Sequence, residues 1–296
     1  MSGSPGQPHV PGHPGHTQLS GPAHASPGQA AGRPQPGVAS PPTGHPQALW
    51  EIGQLAARAR REDLLSGFLG QHGGVVQGGP FAGMTLPGRT CAEDGNLLPR
   101  LLGTYESELA DPIALMVESQ PDMVVCMGIA AGYYPIGFAR LLPEAHVHGF
   151  DPSDAAQEIC REAARLNRVD SRVSVGTQCS PMVLQHLLVR ARRPLVLCDV
   201  EGDERLLIDP TRVPALAGCM LIIECHDYMD AKLTQMLAER LAPTHELSAA
   251  REGGRDPNAI GFLRGLDSLD RWLSVCEFRP CAMHWLIALP KRNGAG

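Results

Sequence analysis

The sequence lacks the features that would place it in several common classes. None of its nine cysteines form a C-x-x-C pair, and Cys126, Cys198 and Cys225 sit inside apolar runs. That pattern suits reduced thiols packed in a cytoplasmic core better than a zinc site or a disulfide framework. No apolar stretch approaches the roughly 20 residues a membrane helix needs. A formal net charge of -6 disfavours a general nucleic-acid binder, which carries a basic stripe. The expected partners therefore include neither membrane nor nucleic acid. Lysine is nearly absent, Lys232 and Lys291 standing beside 23 arginines, and no internal repeat is present.

Acidic residues are missing altogether from residues 1–47, where Arg33 is the only permanent charge. This segment holds much of the chain's 33 Gly and 27 Pro, and it also lacks the basic start and apolar run of a signal peptide. Such a composition does not bury enough apolar surface to offset its ordering entropy, so a disordered tail is expected over 1–47. Its five histidines (His9, His13, His16, His24, His45) are irregularly spaced and read as part of a solvated tail.

What is present begins near residue 48. ALWEIGQLAARARREDLLSGFL has apolar residues at helical spacing, and QHGGVVQGGPFAGM interrupts it with glycines. LLPRLLGTYESELA reads as a second helix ending near Asp111-Pro112, and PIALMVES as a third. Residues 48–120 thus form an N-terminal helical and loop extension. From 121 to 296, short apolar runs (DMVVCMG, HVHGF, RVSVG, PLVLCDV, CMLIIEC) alternate with amphipathic ones. That rhythm predicts an α/β domain, a parallel sheet with helices on both faces. HELSAAR and HWLIALP add two further strands as a hairpin-like edge.

In such sheets ligands bind at the carboxyl ends of the strands, where the strand order reverses. The first such end carries Gly128-Ile129-Ala130-Ala131-Gly132, a turn whose glycines permit close backbone approach. A dinucleotide fingerprint requires a third glycine where this chain has Tyr133, which counts against a nicotinamide-dependent oxidoreductase. Asp151 follows Gly128 by 23 residues, near the spacing of about 20 at which an acid reaches ribose hydroxyls. Its alternative role, capping the next helix, suits Ser153 better. After the third strand, Gln178 offers an amide to an adenine edge, or is simply an exposed loop side chain.

The runs CMGIAAGYYPIGFAR, GFDPSDAAQEICREAARLN, LCDVEGDERLL and IIECHD resemble the core of class I S-adenosylmethionine-dependent methyltransferases of the FkbM-like branch. GGPFAGM, LLGTYESEL and FRPCAMHWLIALPK extend the resemblance over residues 75–291. It implies a Rossmann-like seven-stranded sheet with an antiparallel last strand. The implied cofactor is S-adenosyl-L-methionine, lying over Gly128, Ala130 and Gly132, with Asp151 on its ribose; Tyr133 and Gln178 are further candidates to contact it. Cys126 and Ala131 stand where the family usually carries acids. Glu106 and Asp199 face the same cleft in this reading and compensate. Cys126 is expected to point toward the turn, so that Cys126→Asp tightens cofactor binding; packed in an apolar pocket instead, the same carboxylate destabilises the fold.

Chemistry is expected at the fourth and fifth strand ends. Asp199 and Glu201 lie two apart and share one side of an extended segment, as do Glu224 and His226. His226 has the intrinsic pKa of a base for a hydroxyl acceptor. Alternatively it caps a helix while Asp199 and Glu201 hold loop amides. A divalent metal on Asp199, Glu201 and Glu224 is a further reading. The expected activity is methyl transfer to an oxygen of a small molecule or sugar. The alternative is a methyltransferase-like binding protein that has lost catalysis.

Overall fold

The computed structural model describes residues 47–90 and 95–291. Apart from Gln47, the tail expected over 1–47 lies outside the described residues. Three helices, α1 (Gln47–His72), α2 (Leu97–Leu102) and α3 (Ala110–Glu118), precede β1 (Met123–Met127). There follow α4 (Tyr133–Leu141), β2 (His146–Phe150), α5 (Asp154–Leu166), β3 (Val173–Gly176), α6 (Pro181–Leu188) and β4 (Pro194–Cys198). Then come α7 (Glu204–Leu207), β5 (Met220–Glu224), α8 (Leu233–Leu241), β6 (His245–Arg251), α9 (Ser268–Ser274) and β7 (His284–Pro290).

The strands form one seven-stranded sheet in the order β3-β2-β1-β4-β5-β7-β6. Strands β1 to β5 run parallel, and β7 is antiparallel to both β5 and β6. The expected α/β architecture is therefore present. The order reverses between β1 and β4, which places the ends of these two strands side by side. Central strands β4 and β5 are buried at every residue, as continuous apolar runs covered on both faces must be.

Because side chains alternate across a strand, the sheet serves two cores. Val124, Cys126, Leu195, Leu197 and Ile222 pack on one face with residues of α1 to α5. Val125, Met127, Val196, Cys198 and Ile223 pack on the other with α6, α7 and α8. Helix α5 shows how the sequence sets this up. Ser153 caps it by accepting from the Ala156 N–H, and Ala156, Ile159, Cys160, Ala163 and Ala164 bury one stripe.

Three expectations need correction. LLPRLLGTYESELA is not one helix, because α2 stops at Gly103 (φ 79°), where the backbone of Gly78 leaves no room for a Cβ. Helix α3 does not break at Asp111-Pro112 either; Pro112 falls in its first turn, where no N–H is needed. The last two strands are neighbours, but β7 lies inside the sheet and the connection over 252–283 is no tight hairpin. Among the described residues no helix is long and apolar enough to cross a membrane. The eight described cysteines are all free thiols, six of them buried.

Candidate functional site

The turn after β1 is shaped by three positive φ values, at Gly128 (80°), Ala130 (41°) and Gly132 (84°). At Gly128 the cause is packing, since a Cβ there would collide with the Asp199 carbonyl at the end of β4. The glycine lets two strand ends meet. Ala130 holds a conformation that costs a side chain energy. Asp151 at the end of β2 offsets that cost: its Oδ2 accepts from the N–H groups of Ile129 (3.1 Å) and Ala130 (3.2 Å), and its Oδ1 from Ser153 (2.9 Å). The acid is only half-buried and has a fourth acceptor position.

Gln157, which the sequence did not single out, donates to the Asp151 carbonyl (2.9 Å) and to the Thr177 hydroxyl (3.4 Å), joining the second and third strand ends. Gln178 beside it is exposed. Tyr133 turns inward, edge-on to Phe81 (5.0 Å) and Tyr105 (5.6 Å). Burial pushes its phenol pKa up. Cys126 does not point toward a polar turn. It is fully buried in the apolar core, with the Cys160 thiol near it, and burial raises its pKa. A carboxylate there has no polar partner, so the expected gain in affinity becomes an expected loss of stability.

At the other side of the switch point, β4, β5 and the segments after them converge on His226. Its side chain is almost fully buried. Nδ1 lies 2.6 Å from Glu204 Oε1, which also accepts from the Val200 N–H. Nε2 faces Glu201 (3.6 Å), Asp199 (3.7 Å) and Glu224 (3.8 Å). The structure thus brings together all four residues picked for chemistry. Neither Asp199 nor Glu201 accepts from a loop amide among the described residues, and His226 pairs with Glu204 instead of capping a helix side-on. Glu204 was missed, although it sits in the quoted run DVEGDE; only the fold of α7 turns it inward.

Burial raises the Asp199 carboxyl to about 7, the charge of Glu106 and Glu201 adding to the rise while a hydrogen bond with Glu224 opposes it. Glu224 is raised further, by burial and then by the charge of Asp199. The two carboxyls thus disfavour each other's charged form. For His226, burial alone would lower the pKa, but the Glu204 hydrogen bond and the surrounding carboxylates outweigh it and raise it.

Behind these groups stands Arg279, from the connection before β7. Its guanidinium reaches Glu224 (2.5 Å), Glu106 (2.7 Å) and Glu277 (3.0 Å) and lies over the Trp285 ring. Glu106 also accepts from the Tyr134 hydroxyl. Glu106, Tyr134, Asp199, Glu224 and Trp285 surround a packing gap too small to hold a water molecule. Glu106 and Asp199 thus line one gap, with Glu106 buried and Asp199 partly exposed. An open cleft of about 600 Å³ between α1 and residues 261–266 contains none of the residues above.

No family model matches the chain, and no curated protein matches it. Among solved structures it is similar to an O-methyltransferase from Bacillus cereus in complex with SAH, at 16% identity and TM-score 0.42, over 60% of this chain and 78% of that one. It is also similar to precorrin-6y C5,15-methyltransferase from Geobacter metallireducens (11% identity, TM-score 0.43, 62% and 89%). A third likeness is to an O-methyltransferase from Streptomyces achromogenes involved in tomaymycin synthesis, in complex with SAM (14% identity, TM-score 0.39, 61% and 80%). The chemistry of the site rests on this chain's own residues.

Proposed function

We propose that the chain is an S-adenosylmethionine-dependent methyltransferase acting on a hydroxyl oxygen of a small molecule or sugar. The observation that carries this reading is the Glu204–His226 pair, which opens onto Asp199 at a strand end beside the glycine turn. Glu204 accepts from Nδ1–H and so fixes the tautomer in which Nε2 carries the lone pair. A base oriented by a carboxylate, next to a nucleoside-type turn, is the equipment that methyl transfer to a hydroxyl requires.

The residues fit the cofactor in two places. Asp151 keeps an acceptor position for a ribose hydroxyl while holding the turn of Gly128, Ala130 and Gly132. Asp199, partly exposed at the end of β4, offers a carboxylate to the cationic amino-acid end, and Gln178 lies exposed beside the third strand end. When bound, the cofactor supplies an electrophilic methyl group on a sulfonium sulfur. His226 Nε2 takes the acceptor's proton as its oxygen gains the methyl group. Asp199, titrating near 7, receives or returns that proton.

Because His226 must be neutral to act and its pKa is raised, turnover is expected to fall as pH drops, with the midpoint above 6.5. His226→Ala is expected to lower turnover by roughly 10² to 10⁴ while calorimetric affinity for S-adenosylmethionine stays the same. Absence of any binding, with NADH as the control ligand, would overturn the reading.

A second reading has its own observation. Asp199, Glu224 and His226 present ligand atoms within 4.8 Å of one another, a spacing that suits one divalent cation. Glu201 is not in this set. Loss of turnover in a chelator, restored by a divalent cation, together with loss of that restoration in Glu224→Gln would favour it.

A further inference from the structure

Helix α1 is anchored by one stripe and apolar on another. Arg61, Leu64 and Phe68 are buried against the body, and Trp50, Gln54 and Ala57 extend that stripe half-buried toward the N-terminus. On the opposite side Leu49, Ile52 and Leu55 are 60%, 62% and 70% exposed, and Ala48, Ala56 and Ala59 are exposed among them. Surface helices carry charge on their outer face. Over residues 47–58 the only charged side chains are Glu51 and Arg58. Among the described residues neither forms an ion pair; Glu51 accepts from Gln47, and Arg58 lies over the Phe278 ring at 5.2 Å.

We infer that residues 48–59 of α1 pair antiparallel with the same segment of a second copy of the chain. The spacing is that of a short coiled-coil seam: Ala48, Ile52, Leu55 and Ala59 recur at steps of four, three and four. An antiparallel two-fold arrangement sets Ile52 against the partner's Leu55 and Ala48 against the partner's Ala59. In that register Glu51 and Arg58 occupy equivalent flanking positions, and each faces its opposite charge, Glu51 against the partner's Arg58, twice per dimer. Leu49 then meets the partner's Ala56 on the other flank. A parallel pair would set Glu51 against an alanine and leave this complementarity unused. The antiparallel pair also carries the two bodies to opposite ends of the seam. The same surface patch serves both copies, as a two-fold interface requires.

So short a seam buries little area, and the dimer is expected to be reversible, with a dissociation constant of about micromolar order. Sedimentation equilibrium of the full chain is expected to show a mass rising from 31.6 kDa toward twice that value with concentration. Leu55→Glu and Ile52→Glu are expected to hold the mass at that of one chain, with the melting temperature unchanged because both side chains are exposed. Glu51→Arg alone is expected to weaken association about tenfold, and Glu51→Arg with Arg58→Glu to restore it. A single-chain mass at every concentration, or a dimer that persists in Leu55→Glu, overturns the inference. Failure of the double exchange to restore what Glu51→Arg lost overturns the antiparallel register.

Discussion

The two halves of the candidate site are built from different materials. At the ends of β1 and β2 the working surface is main chain: a turn with three positive φ values, pinned by one half-buried carboxylate that accepts from three N–H groups. At the ends of β4 and β5 it is side chain: a buried imidazole ringed by four carboxylates and backed by a guanidinium that contacts three more oxygens. The first half needs no proton exchange to keep its shape. The second is held together by the protons and charges it shares, which makes it reactive and also costly to disturb. A backbone-built half suits recognition of a constant part, and a titrating half suits chemistry.

Four substitutions sharpen or break this contrast. The largest effect is expected for Arg279→Leu, which leaves Glu106 and Glu224 without their cation while Glu277 keeps Arg255. A loss of about 3 to 5 kcal/mol in urea unfolding is expected, with Arg279→Lys in between. A loss below about 1 kcal/mol would mean that the buried carboxyls are neutral without it. Cys126→Asp comes next. Its carboxylate enters an apolar core, so stability falls by about 2 to 4 kcal/mol and cofactor affinity does not improve. Tighter binding with an unchanged melt would return Cys126 to the polar side of the turn.

Asp151→Ala tests the main-chain half. It removes the acceptor for Ile129 and Ala130 and the proposed ribose contact, so S-adenosylmethionine is expected to bind about 1.5 to 3 kcal/mol more weakly. Equal affinity in a folded variant would locate the ribose elsewhere. The smallest effect belongs to Asp199→Asn and depends on pH. The folded-state pKa is raised from 3.8 to about 7, so the stability tied to the protonated form is full at low pH and fades as pH rises through about 7. The variant should therefore match the parent near pH 4 and exceed it by about 1 to 2 kcal/mol near pH 8, a figure held down by the partial exposure of the side chain. A constant difference across that range would show that Asp199 does not titrate there.

The main-chain half was legible in the sequence because its signals are local. Glycine spacing at a strand end, an acid at the next strand end and a serine before an amphipathic run each report on their own neighbourhood. The alternation of apolar and amphipathic runs likewise gave the α/β sheet, though not the interior place of β7, since strand order is set by packing far along the chain. The side-chain half was half legible. Asp199, Glu201, Glu224 and His226 could be placed together because adjacent parallel strands end together. Glu204, Arg279 and Glu277 could not, since each reaches the site from a segment whose path no local pattern specifies. Cys126 went astray for a simpler reason: Ile129, Tyr133 and Cys160 close over it in apolar core, which its place in the strand does not reveal.

The interior position of β7 has a consequence for biosynthesis. On the ribosome the strands appear in chain order, so β5 and β6 are made before the strand that separates them. Until residues 284–290 emerge, Leu221–Glu224 present an open sheet edge and β6 has no neighbour to pair with. Arg279, the cation shared by Glu106, Glu224 and Glu277, is synthesised just before that last strand. The glycine turn can take shape while the chain is still growing, whereas the acidic half of the site waits for its counter-ion and its final strand together.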